Sequence, residues 1–147
     1  MADLCSIDQS MIVADESELS ESIKELNDQE TVLIAKIPSS DSEALDGDNM
    51  LEKEQCLIFV LQKVDFKSMT SIERTIVRIY TQAMMTSVKV HMKALALDTD
   101  HNNEYTVLMR RLDLNGMHTD PEYDYMGCTG WSLSFLLKSK NLNYQIP

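Results

Sequence analysis

Glycine is scarce in this chain, four residues in 147, so few loops can bring bare backbone close to a nucleotide phosphate. Neither G-x-x-x-x-G-K-[ST] nor G-x-G-x-x-G occurs, which excludes the common phosphate-cradling loops. Cysteine is sparser still, with three residues. Cys5, Cys56 and Cys128 are an odd number, widely spaced and without a C-x-x-C pair, so neither a disulfide framework nor a cysteine zinc site is expected. Aromatics make up only 6%. No apolar run approaches the roughly 18 residues of a membrane helix. The start, MADLCSIDQSM, lacks the charged and apolar regions of a signal peptide, and no Asn-x-Ser/Thr sequon follows. Together these absences lead us to expect an intracellular protein, cytoplasmic or nuclear, with no membrane contact.

What is present fits one domain. A globule of this length buries roughly two thirds of its unfolded surface and needs no metal or disulfide staple. Ten methionines suit either a soft core or an adaptable interface. The net charge of −11 is uneven: residues 1–54 hold 15 Asp/Glu against three Lys, and residues 55–147 hold nine acids against ten bases. Residues 1–28 read as an acidic N-terminal arm, and 29–147 as a single α+β domain. A negative overall field disfavours independent nucleic-acid binding. Lys89, Lys93, Arg110 and Arg111, in the basic middle, are read first as a solvated face and only second as a phosphate-contacting patch.

Several elements are legible. Leu19, Ile23 and Leu26 predict a short amphipathic helix within 15–27, capped by Asp15 or Ser17. Thr31 to Ile37 reads as a strand stopped by Pro38, and Ser39 to Asn49 as an acidic loop. Cys56 to Val64 is apolar enough for a strand covered on both faces. Thr70 and Glu73 make a capping box before a helix over 71–85, whose buried stripe is expected to be Ile72, Ile76, Ile79, Tyr80 and Ala83. Alternation from Val88 to Ala96, the polar run Asp98 to Asn103 and a second run from Tyr105 predict a β-hairpin. Asn115-Gly116 marks a turn, and Met117 to Gly130 reads as loop. Trp131 to Lys138 fits a strand by alternation, or a helix. The order suggests a two-layer α+β sandwich with helix 71–85 on an antiparallel sheet. A small OB-like barrel is the competing architecture.

Candidate chemistry is thin. Asp98-x-Asp100-x-Asn102 opens like a calcium loop, but Asn103 and Met109 stand where glycine and a bidentate glutamate belong. His118, Asp120 and Cys128 could be imagined as a nucleophilic set, though nothing local activates the thiol. The Y-x-x-M tetrapeptide at Tyr123 and the S-x-x-E patterns at Ser22 and Ser40 are surface motifs of low specificity. No catalytic residue, metal or cofactor is expected. Surplus apolar residues at Val77, Met84, Met85, Leu95, Leu97, Leu108 and Trp131 point instead to an interface. The expectation is a non-catalytic protein–protein interaction subunit, an adaptor or scaffold acting by homo- or heterodimerisation. The alternatives are an OB-like subunit of a nucleic-acid complex and a small thiol-dependent enzyme.

Overall fold

The computed structural model describes the backbone of residues 7–46 and 49–138, and the side chains of 7–36 and 54–138. The elements are β1 (Gln9–Val13), α1 (Glu16–Lys24), β2 (Thr31–Asp46), β3 (Asn49–Lys63), α2 (Ser71–Leu97), α3 (Glu104–Met109), β4 (His118–Tyr125) and β5 (Cys128–Lys138). The five strands form one open, mixed sheet in the order β1-β2-β3-β5-β4. β1 runs parallel to β2, and the remaining neighbours are antiparallel. The α+β expectation holds. The OB-like alternative does not, because the sheet stays open with β1 and β4 as its edges.

Residues 9–28 belong to this fold. β1 pairs with Val32 to Lys36, and α1 buries Leu19 and Ile23, with Leu26 just past its end, against Val32, Ile34, Phe59 and Leu61 on one face of the sheet. A helix of nine residues is marginal alone, so this burial holds it. Asp15 caps its start, accepting from the Glu18 amide at 2.9 Å. Lys63, at the end of β3, closes the other terminus by donating to the Leu26 carbonyl at 2.7 Å. α1 therefore covers the sheet with its apolar side and turns its acids to solvent.

β3 lies between β2 and β5, and its near-continuous apolar run has the reason expected of it. Phe59 and Leu61 face α1, whereas Ile58 and Val60 face α2. The strand beginning at Thr31 also forms, but Pro38 does not end it. The register slips between Lys36 and Ser39, and pairing with β3 resumes through residues read as loop. A bulge lets a proline pass inside a strand.

The main correction concerns residues 88–109. No hairpin forms there: α2 runs on to Leu97, and 104–109 is the short helix α3. Val88, Val90, Met92, Ala94 and Ala96 do alternate, yet Thr81, Met84, Met85, Val88, Met92 and Ala96 also follow a helical period. Ala, Leu, Met and Lys dominate the stretch, and no Gly or Pro interrupts it. Asp98 ends α2 by leaving the helical region, its carboxylate accepting from the Asp100 and His101 amides. Within the expected loop 117–130, residues His118–Tyr125 form β4 instead, and Pro121 and the acids suit its place at the sheet edge. Trp131 to Lys138 is strand, its alternate residues Trp131, Leu133, Phe135 and Leu137 all facing α2.

Candidate protein interface

α2 begins as the capping box requires, Thr70 Oγ1 accepting from the Glu73 amide at 3.2 Å. It packs on β5 and β3 with the opposite face to the one expected. Val77, Thr81, Met84, Met85 and Met92 are buried. Ile72 (73% exposed), Ile76 (60%), Ile79 (61%), Val90 (62%) and Leu97 (67%) point outward, and Tyr80 and Ala83 are exposed beside them. Two contacts set this rotation. The Trp131 indole N–H donates to the Arg78 carbonyl at 2.9 Å. Thr81 lies fully buried because its hydroxyl donates to the Val77 carbonyl at 2.9 Å, so no polar group is stranded.

α2 is therefore apolar on two sides. One covers the sheet, and the other is an aliphatic stripe facing solvent along nearly the whole helix. A helix apolar all round normally lies between two packed layers. Here the second layer is missing among the described residues.

The residues first assigned to an interface divide. Val77, Met84 and Met85 are turned into the core, and Trp131 and Leu95 are half-buried. Leu97 and Leu108 remain exposed, Leu108 on α3 together with Tyr105 and Val107. Ile72, Ile76 and Ile79 belong to the stripe expected to be buried, and Val90 to the alternation expected of a strand, yet all four face outward.

The four cations assigned to a phosphate patch do not act together. Arg110 clamps the α2–α3 loop: its guanidinium donates to the Asp98 carbonyl at 2.7 Å, to Asn102 Oδ1 at 2.9 Å and to the His101 carbonyl. Arg111 donates to the Lys138 carbonyl at 2.8 Å and pairs with Glu54 at 3.4 Å. Lys89 lies in a small hollow beside Thr119 and Trp131, and Lys93 is exposed on the outer side of α2.

Nor do His118, Asp120 and Cys128 converge. His118 contacts Asp120 at 3.0 Å on the exposed edge strand. It stands opposite Ser134, six residues along β5 from Cys128 and so about 20 Å away. Cys128 is fully buried, and burial, joined by the nearby Asp124 carboxylate, pushes its thiol up to about 11. Cys56 and Cys128 lie on opposite faces of the sheet, which rules out a disulfide between them. Tyr123 of the Y-x-x-M segment lies under the Arg78 guanidinium, 4.4 Å from ring centroid to cation. Among the described residues, a cleft on the α1 side of the sheet, near Lys36, Gln55, Leu57 and Ser134, presents one cation and no acid–base pair.

Among the described residues no helix is long and apolar enough to cross a membrane. No protein-family model matches the chain, and no curated protein is significantly similar to it.

Proposed function

We propose that this protein is a non-catalytic interaction subunit, an adaptor or scaffold component of an intracellular complex, that pairs with another polypeptide through the outer face of α2. One observation carries the reading: five large aliphatic side chains, each more than half exposed, lie in one line on a helix whose other face already covers the sheet. Scattered apolar residues are ordinary on a surface, but a contiguous line of this length marks a contact site. The dispersal of the ionisable groups supports the non-catalytic part. The histidines lie on exposed segments, and the buried thiols are held protonated, since burial raises both Cys56 and Cys128.

The test compares complexes recovered from cells on the wild-type chain and on Ile76→Glu/Val90→Glu. Both positions are exposed, so the variant is expected to keep its circular dichroism spectrum and melting transition. It is expected to lose its bound polypeptides, further copies of itself included. An unchanged set of bound chains on a correctly folded variant would overturn the reading.

A further inference from the structure

We infer that the polypeptide covering α2 is a second copy of this chain, docked antiparallel across a two-fold axis between residues 84 and 85. This rests on the docking reading above and specifies its occupant. The outward residues of α2 do not merely recur; they keep a heptad. Ile76, Ala83, Val90 and Leu97 fall every seven residues, and Ile72, Ile79, Thr86 and Lys93 fall every seven between them. All eight are exposed. These are the two alternating core positions of a coiled-coil seam.

The seam is complementary to itself when reversed. Antiparallel coiled coils stack one type of core position on the other. With the axis between 84 and 85, each position of one series meets its counterpart in the other. Ile72 meets Leu97 of the second copy, Ile79 meets Val90, and Ile76 meets the aliphatic stem of Lys93. Large side chains lie toward the ends, and the crossing layer is Ala83 against Thr86, both small enough for close approach. The Thr86 hydroxyl already donates to the Gln82 carbonyl at 2.9 Å, so covering it strands no donor. A parallel pairing would instead set Lys93 against Lys93 within the seam, with no acid in the layer. The flanking positions carry Glu73 and Lys89, and reversal brings no like charges together.

The area is consistent with a weak, self-sufficient dimer. A buried aliphatic side chain removes on the order of 60–120 Å² from water, so the seam covers roughly 1,000 Å² over both copies. That is about the lower bound for a specific interface.

The experiment uses the full chain. Sedimentation equilibrium at about 50 µM, where a pair with a Kd of about 10 µM or below is mostly dimeric, is expected to give close to twice the 16.8 kDa monomer mass. Ile79→Glu is expected to return it to monomer, raising the Kd at least 100-fold without changing the melting transition seen in dilute solution. Orientation is read by disulfide trapping in a Cys5→Ser background. Ile79→Cys mixed with Val90→Cys is expected to cross-link. Ile79→Cys alone is not, because the two copies of residue 79 stand 11 residues out of register, about 16 Å. A monomer at 50 µM, or cross-linking of Ile79→Cys to itself in preference to Val90→Cys, overturns the proposal. If the chain is monomeric and Ile76→Glu/Val90→Glu still loses a different polypeptide, the docking reading stands and the second copy does not. If that variant loses nothing, both fall.

Discussion

Truncating Met85 and Ile79 in turn separates the two faces of α2 energetically. Met85 is 2% exposed and packs with Val60 and Leu133. Removing its side chain leaves a cavity over the sheet, and buried methionine-to-alanine changes cost about 2–5 kcal/mol. Ile79 is 61% exposed. Little of its area is buried within one protomer, and alanine regains a few tenths of a kcal/mol of helix propensity, so the net change is expected within about 0.5 kcal/mol. Urea unfolding followed by circular dichroism reads the difference. With a slope near 2 kcal/mol/M, a loss of about 3 kcal/mol at Met85→Ala lowers the midpoint by about 1.5 M, and Ile79→Ala moves it by less than about 0.3 M. The corresponding fall in Tm is about 6–12 °C for Met85→Ala. Both are measured at two concentrations below about 1 µM, so that any contribution of self-association shows as a concentration-dependent midpoint. Equal, concentration-independent losses at the two positions would refute the rotation assigned to α2, and the interface with it.

Gly130→Ala is expected to abolish cooperative folding or to cost more than about 3 kcal/mol. A Cβ there would lie 2.1 Å from the Val60 carbonyl oxygen, which belongs to the central strand and cannot move aside; a thermal melt within a few degrees of wild type would contradict this packing. Cys128 makes stability fall at alkaline pH. Burial raises its thiol from an ordinary 9.0 to about 11, so its contribution is intact below pH 9 and is lost as pH rises to 11. The loss amounts to about 2–3 kcal/mol and should be halved or better in Cys128→Ala, as read from urea midpoints across that range. A wild-type stability that stays flat between pH 9 and 11 would contradict this assignment.

Local chemistry was readable wherever a few adjacent residues decide the outcome. Asp15 and Thr70 cap their helices as their positions before Glu18 and Glu73 imply, because a cap is a contact across one turn. Leu19, Ile23 and Leu26 identify the buried side of α1 since that helix has only one apolar face. Cys56 to Val64 announces a strand buried on both sides because polar residues are absent from its centre. β1 gave no such sign. Gln9 to Val13 is short, and only its register beside β2 gives it a purpose.

Over 71–109 two periods are satisfied at once, and a window of ten residues admits both strand and helix between Val88 and Leu97. Unbroken helix formers favour the helix, but that advantage accumulates only over the full 27 residues of α2. The more aliphatic stripe of α2 also proved to be the outer one. Burial of apolar area has no direction, so composition alone could not say which side meets the sheet. That was decided by shape and by hydrogen bonds across the chain. Methionines conform to the surface of β3 and β5, Thr81 hides its own hydroxyl, and Trp131, about fifty residues downstream, reaches the Arg78 carbonyl. Ile72, Ile76 and Ile79 are left outside because neither the methionine packing nor these two hydrogen bonds can be made from their side of the helix.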